Sequence, residues 1–331
     1  MLHDLSPYTT VPDFIYGITR EIWEDRGVGA KLNQYYASDI KLRAPTGFTD
    51  SNAGVAAQTL QTLHQFPDRE LVGEDVIWQA YPDGSFLSSH RLVSVMSHTG
   101  DGIYGKATGK PVRSRIIAEC WVKNQVVVEE WLVRDQAAFA QCMGTSAEQM
   151  ARSMADQAVQ AGRPIDFFVP THDQPSQCPF GIEQDPTVAI YVNALHAIWN
   201  DKHLHAIRSA YFHGANVHVP GGDTRYGHAD IDRFMVGYLA SIPDATLTVH
   251  SAFVNREADN VLRVAARWSL AGTHTGWGYF GQPSGAPLYL MGMSHAHISQ
   301  GRIVREWIVF DEVSIWKQVL AHLGTSRAQL A

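Results

Sequence analysis

The sequence is short of the features that mark several specialised classes of protein. It has three cysteines in 331 residues, Cys120, Cys142 and Cys178, and their spacing suits neither a disulfide framework nor a metal site, which favours a reducing cytoplasm. Acidic residues outnumber basic ones by 33 to 26, and a net charge of −7 argues against a nucleic-acid or membrane partner. No apolar run reaches the roughly 20 residues that cross a bilayer, and the opening "MLHDLSPYTT" does not resemble a signal peptide. We therefore expect a cytoplasmic protein.

What the sequence does contain is an internal repeat. The stretch "GTHTGWGYFGQPSGAPL", 272–288, has a looser copy, "SHTGDGIYGKATGKPV", 97–112, displaced by 176 positions. The same displacement maps Trp23 to Trp199, Tyr35 to Tyr211, Arg91 to Arg267, Trp131 to Trp307 and Asp135 to Asp311. Chance does not produce so many matches at one displacement. We therefore predict two homologous domains, 1–144 and 185–331, joined by a linker, 145–184.

Each copy is predicted to be α+β, with helices first and strands afterwards. In "DPTVAIYVNALHAIWND", Asp185 and Pro186 are favourable at the start of a helix. Strands such as "VVVEEWLV" are apolar on both faces, so we expect one face to cover the helices and the other to pack against the second copy as an intramolecular pseudo-dimer. The linker is predicted to begin with a helix capped by Thr145 and Glu148, and to continue as a Pro-rich tether that lets the domains move.

The motif Gly272-Thr-His-Thr-Gly276, followed by Glu306-Trp307 and Asp311, resembles that of the SnoaL-like polyketide cyclases, also described as ester cyclases. The resemblance implies two tandem cone-shaped, cystatin-like α+β barrels of the nuclear transport factor 2-like superfamily, each with N-terminal helices on a curved antiparallel sheet. It implies an enzyme that acts on a small molecule in an apolar pocket by acid/base chemistry next to a carbonyl: aldol-type cyclisation, isomerisation, dehydration or lactone hydrolysis. Neither a redox cofactor nor another cofactor is expected, and a further homodimer is an open alternative.

One departure from that family favours a different function. The aldol cyclases carry an Asp directly after this Trp, whereas Leu132 and Ile308 stand here and can neither donate nor accept a proton. The alternative is therefore a non-catalytic module for small-molecule binding or assembly.

The candidate acid/base residues form three repeat pairs: His98 and His274, Asp135 and Asp311, and Glu119 and His295. The histidines could instead brace a glycine-rich turn, and the aspartates could cap the final helix of each copy. His295 shares a strand face with His297, so the two could line the pocket. With a third ligand from His218, His250 or His274 they could bind a metal, although a hydrogen-bonded pair is favoured over a metal site.

Further residues are candidates for binding the substrate or, alternatively, for the core. They are Trp131, Trp307, Tyr35, Tyr211, His297, Arg91 and Arg267. Each arginine interrupts an apolar strand and therefore needs a carboxylate, either Glu130 or Glu306 in a structural ion pair, or a carboxylate of the ligand. The second copy has more histidines, which makes it the favoured active copy.

Overall fold

The computed structural model describes residues 2, 4–173, 176–256 and 261–330, so that positions 1, 3, 174, 175, 257–260 and 331 of the predicted domains and linker lie outside the described residues. The helices are α1 Val11–Thr19, α2 Ala30–Tyr35, α3 Asn52–Gln65, α4 Gln136–Met143, α5 Ala147–Gln160, α6 Pro170–Asp173, α7 Pro186–Trp199, α8 Ala206–Ala210, α9 Gly227–Ser241 and α10 Glu312–Leu330. The strands are β1 Tyr36–Ala44, β2 Gly47–Thr49, β3 Glu70–Ala80, β4 Phe86–Ser97, β5 Pro111–Lys123, β6 Val126–Arg134, β7 Tyr211–Val219, β8 Asp223–Tyr226, β9 Thr246–Arg256, β10 Leu262–Thr273, β11 Pro287–Ser299 and β12 Arg302–Phe310.

The described residues form two six-stranded sheets with the same topology. Their strand orders are β2-β1-β6-β5-β4-β3 and β8-β7-β12-β11-β10-β9. The α+β fold predicted from the sequence is confirmed, but the sheets are mixed rather than antiparallel, because β1 runs parallel to β6 and β7 runs parallel to β12. Each of these strands enters its sheet from a helix and not through a hairpin, so its direction is not forced to alternate.

Local sequence signals set the helix starts. The side chain of Asp185 accepts a hydrogen bond from the Thr187 N–H at 2.7 Å at the start of α7, as its position before Pro186 predicts. The linker helix α5 does have a capping box, but it joins Ser146 to Gln149 and not Thr145 to Glu148. Among the described residues, no helix is long and apolar enough to cross a membrane.

Strand pairing changes one predicted repeat match. Tyr36 lies opposite Val127 in the first sheet, and Tyr211 lies opposite Ile303, the repeat counterpart of Val127, in the second. Tyr36 is therefore the structural counterpart of Tyr211, whereas the constant displacement pairs Tyr35 with it. The extra residue lies in α2, Ala30–Tyr35, which has six residues where α8, Ala206–Ala210, has five.

The two sheets pack face to face. One apolar cluster between them joins Ile117, Trp131 and Val133 of the first sheet to Met291, Met293 and Val309 of the second. Because side chains alternate along a strand, the residues between these positions point to the other face of each sheet, where the helices pack.

The linker is a packed element and not a free tether. Phe168 lies in the apolar cluster around Trp131 and Met291, and Phe180 lies in a second cluster with Trp121 and Phe253. Both aromatic side chains are buried between the sheets. The linker therefore joins the two halves through side-chain contacts as well as covalently.

We expect Phe168→Ala to lower the free energy of unfolding by about 3–5 kcal/mol, because it leaves a cavity between the sheets. Phe167, the next residue back, is only half-buried and serves as the control, since Phe167→Ala should have a smaller effect. Urea unfolding of both variants measures the difference. Equal, small effects would show that the linker does not contribute to packing.

Candidate functional site

A cavity of about 90 Å³ lies in the first half of the chain, between α1, α3 and the helix-covered face of the sheet. Its strand residues come from one alternating face. On β6 they are Glu130, Leu132 and Arg134, and the first two lie opposite Cys120 and Ala118 of β5, which also line the cavity. The remaining wall is both polar and apolar: it includes Ile15, Ile18, Trp23, Leu42, Val55, Leu71, Leu92 and Ile116 as well as Thr19, Thr46, Gln58, Thr59 and Thr62.

Glu130 is the acidic group of this cavity. It is 5% exposed, and its Oε2 atom has no hydrogen-bond partner among the described residues. Burial raises the pKa of Glu130 to about 7, although the neighbouring Tyr36 hydroxyl and Arg134 act in the opposite direction. A carboxyl group with this pKa can both accept and donate a proton near neutral pH.

Three further ionisable groups of the cavity have strongly shifted pKa values. Burial lowers the pKa of His90 to about 4, so this histidine is neutral at pH 7. Burial, together with the nearby Arg134 and Arg26, lowers the pKa of Arg69 to about 10, at which the guanidinium is still charged at neutral pH. Burial also raises the pKa of the Cys120 thiol well above its usual value, which keeps it protonated.

The corresponding space in the second half is filled. Only about 10 Å³ remains there, too little to hold one water molecule with ease. The side chains around that remnant are Trp199, Tyr238, Ile242, Ala245, Trp268, Leu270, Leu290 and Phe310. Tyr238, Trp268 and Phe310 occupy the repeat positions of Thr62, Leu92 and Arg134 in the first half. Larger aromatic rings therefore close the second cavity.

Glu306 occupies the repeat position of Glu130 in the closed half. It accepts hydrogen bonds from the hydroxyls of Tyr191 at 2.5 Å and Tyr211 at 2.6 Å, and burial raises its pKa to about 7. Tyr191 stands at the repeat position of Ile15, so only the second half brings two tyrosines to this carboxyl group. Glu306 is a satisfied core residue, whereas Glu130 has a free oxygen beside open space.

Both predicted turn histidines brace their loops away from the cavity. His98 and His274 are fully buried, and their Nδ1 atoms lie 3.2 Å from the Thr108 hydroxyl and 3.0 Å from the Ser284 hydroxyl. The carbonyl of His274 accepts the Gly285 N–H at 2.9 Å. Burial lowers the pKa of each histidine. Their contacts are those of the turn-bracing alternative.

The two predicted aspartates lie at the helix ends. Asp135 accepts the Ala138 N–H at 3.0 Å and, from the second half, the Gly221 and Gly222 N–H groups at 2.9 and 3.1 Å. Asp311 accepts the Val313 N–H at 2.9 Å. Each aspartate caps the helix after its strand and takes part in contacts between the halves, so neither points into the cavity.

Glu119 and Arg267 form a buried ion pair between the sheets. The Arg267 Nε donates to Glu119 at 2.7 Å, and the Ser251 hydroxyl donates to the same carboxylate at 2.8–2.9 Å. The guanidinium also lies 3.9 Å from the centre of the Trp131 ring. The strand face that carries these residues therefore faces the other half rather than the cavity, and Glu306 is not the partner of Arg267.

The repeat-related site between the sheets holds Arg91 and His295. Arg91 lies 3.6 Å from the centre of the Trp307 ring and pairs with Glu74 rather than Glu130. Its guanidinium donates to His295 Nδ1 at 2.9 Å, so that His295 Nε2 carries the hydrogen and donates to the Ser89 hydroxyl, also at 2.9 Å. Burial and Arg91 hold the pKa of His295 well below its usual value, and both ring nitrogens are engaged.

The remaining predicted residues lie outside the cavity as well. His297 packs edge to face against Trp307, Tyr35 lies 3.4 Å from Glu21 through its hydroxyl, and Tyr211 belongs to the closed second half. His295 and His297 do share a strand, but within the described ranges no group of three His, Cys, Asp or Glu side chains could hold a metal ion.

Motifs that recur in both copies do not identify most of the residues that line the open cavity, because recurrence favours residues with structural roles. The sequence suggests Glu130 only as an ion-pair partner and contains no motif that points to Arg69 or His90. A comparison of the copies identifies three of the cavity residues, because Arg69, His90 and Arg134 are replaced by Ala245, Ala266 and Phe310, whereas Glu130 recurs as Glu306. The residues that differ between the copies therefore mark the open half, whereas the recurring glutamate does not distinguish it from the closed one.

Comparison with known proteins agrees with the resemblance. Residues 189–319 match the family model described as SnoaL-like polyketide cyclase, and no curated protein matches the chain. Similar solved structures include AclR from Streptomyces galilaeus, at 24% identity over 40% of this chain and 94% of that one, with a TM-score of 0.35. IdmH from Streptomyces antibioticus has 24% identity over 42% and 99%, with a TM-score of 0.34. A SnoaL-like polyketide cyclase from Agrobacterium tumefaciens has 20% identity over 41% and 99%, with a TM-score of 0.33.

Proposed function

Since residues 189–319 match the SnoaL-like polyketide cyclase family and the first half repeats their fold, we propose that the protein is a cyclase-like small-molecule enzyme whose first half is catalytic. The observation that carries this proposal is the buried carboxyl group of Glu130, which has an unpartnered oxygen beside an open cavity with both polar and apolar walls. The second half, with its closed cavity, acts as a scaffold. This assignment reverses the preference for the second copy that its histidines suggested.

The proposed chemistry is proton transfer at a carbon next to a carbonyl. Ionised Glu130 removes the proton. The protonated carboxyl group then gives it to another carbon in isomerisation, to the leaving hydroxyl group in dehydration, or to the alkoxide that forms when the enolate attacks a second carbonyl in ring closure. Such a cycle serves isomerisation, dehydration and aldol-type ring closure alike, because each begins with an enolate. The Tyr36 hydroxyl beside Glu130 is a hydrogen-bond donor that can hold this carboxylate in place. No cofactor is needed for these steps.

The test is hydrogen exchange in D₂O, which needs no knowledge of the natural substrate. We expect the protein to catalyse loss of the α-proton NMR signal from members of a panel of small ketones and β-keto esters. The exchange rate should increase about tenfold per pH unit below the Glu130 pKa of about 7 and level off above it, because only the ionised carboxylate removes protons. His90, with a pKa of about 4, does not titrate in that range. A rate that is flat from pH 5 to 9 would exclude Glu130 as the base.

A specific observation also favours a non-catalytic binding module. Leu132 lines the cavity at the position where the resemblance places the cyclase Asp, so the family's usual acid/base is absent. A binder would be stabilised against heat by its ligand, by mass action on the folded state, but would not exchange or consume it. A thermal-shift screen followed by NMR of each hit separates the two functions.

A further inference from the structure

Two arginines in the wall of the open cavity have no described carboxylate within ion-pair distance, although Arg134 is near enough to Glu130 to lower its pKa. Arg69 is 8% exposed, and its Nε atom has no hydrogen-bond partner within the described part of the chain. Neither Arg69 nor Arg134 forms an ion pair with any described residue, although both line the cavity. The buried arginines between the sheets differ, because Arg91 and Arg267 each pair with a glutamate at 2.7–2.8 Å.

Neighbouring arginines increase the excess of positive charge around Arg69. Arg134 and Arg26 are close enough to lower its pKa after burial has done so, and Glu24 and Tyr104 oppose them. Glu24 is already engaged, since it accepts the Leu71 N–H at 2.7 Å. A buried cation without a counter-ion destabilises the folded state, so its presence indicates a role other than stability.

The second half serves as an internal comparison. It forms the same six-stranded sheet with Ala245 and Phe310 at the positions of Arg69 and Arg134. The fold therefore does not need either arginine. Both cations occur in the half whose cavity is open, and neither occurs in the half whose cavity is filled.

We propose that the open cavity takes a substrate that carries a carboxylate on an apolar body, and that Arg69, with Arg134 beside it, binds the carboxylate. A guanidinium presents parallel N–H groups that match the two oxygens of a carboxylate. The apolar body would pack against Ile15, Leu92 and Ile116. This inference rests on the proposed role of the cavity as the substrate site and specifies the substrate class.

Benzoate and benzamide are suitable probes, because they share a shape and differ in charge. We expect ligand-observed NMR to show that the full-length protein binds benzoate at least about tenfold more tightly than benzamide, and that Arg69→Met abolishes this preference, as expected for one lost charged hydrogen bond. Arg134→Met should reduce it. Arg152→Met is the control, since Arg152 is an exposed residue of α5 that pairs with Glu148. Arg69→Met should also raise the Tm, because it removes the unpaired buried charge.

The outcomes separate this inference from the proposed function. Equal binding of the two probes, or a benzoate preference that survives Arg69→Met, would overturn the carboxylate site while leaving Glu130 catalysis untouched. A Tm that falls in Arg69→Met would also count against it, by showing a structural role. Conversely, an Arg69-dependent benzoate preference in a protein whose hydrogen exchange does not depend on Glu130 would support the site and contradict the proposed chemistry.

Discussion

Glu130→Gln should reduce the rate of hydrogen exchange at carbons next to carbonyls by about 10²–10⁴, the usual contribution of a positioned acid/base group. The amide has nearly the same size and can still meet Tyr36, but it cannot take up a proton at neutral pH. Because Glu130 is buried with a raised pKa, the neutral substitution should leave the fold intact. The measurement is the initial exchange rate in D₂O with a ketone that the parent protein turns over.

The chain supplies a matched control for this experiment. Glu306 occupies the repeat position of Glu130, is fully buried and also has a pKa raised to about 7 by burial, but it lies in the closed half between two tyrosine hydroxyls. Glu306→Gln should therefore leave exchange unchanged. A loss of activity in Glu306→Gln, or its persistence in Glu130→Gln, would contradict the assignment of catalysis to the first half.

Arg267→Met should destabilise the protein more than substitutions in the cavity do, by about 3–5 kcal/mol. The substitution leaves the Glu119 carboxylate, which is 0% exposed, without its cation between the two sheets. Ser251 still donates to the carboxylate, but a hydroxyl does not replace a charge. Urea unfolding at pH 7, followed by circular dichroism, measures the change in the free energy of unfolding.

Two further variants test whether the loss of stability in Arg267→Met comes from the unpaired charge of Glu119. Adding Glu119→Leu to Arg267→Met should restore part of the lost stability, because no unpaired charge remains between the sheets. Removing the exposed pair of Glu148 and Arg152 should change stability by no more than about 1 kcal/mol. If the double variant is as unstable as Arg267→Met alone, the loss arises from packing and not from the unpaired charge.

Most of the fold could be predicted from the sequence because it depends on the repeat and on local signals. Trp, Gly and Pro recur at one spacing, and Asp185 before Pro186 marks a helix start. The parallel pairing of β1 with β6 could not be predicted in this way, since strand direction depends on how distant segments meet. The linker phenylalanines were missed for a related reason. A Pro-rich segment looks extended in sequence, and only the space between the sheets shows that Phe168 is buried.

The candidate site was far less predictable than the fold. The sequence places Arg91 and Arg267 in apolar strands and predicts pocket roles for Glu119 and His295, but it does not say which face of a strand meets the other half. His98 and His274 recur because each braces the same glycine-rich turn in its own copy. Arg69, which the first copy has and the second lacks, marks the open half, whereas the recurring Glu130 does not.

The reciprocal stacking of Arg91 on Trp307 and of Arg267 on Trp131 is the contact pattern of two identical subunits related by a twofold axis. Here one polypeptide supplies both partners. The association is therefore intramolecular, and its strength does not depend on the amount of protein present. Dilution, which separates an ordinary homodimer, leaves these aromatic and guanidinium groups together.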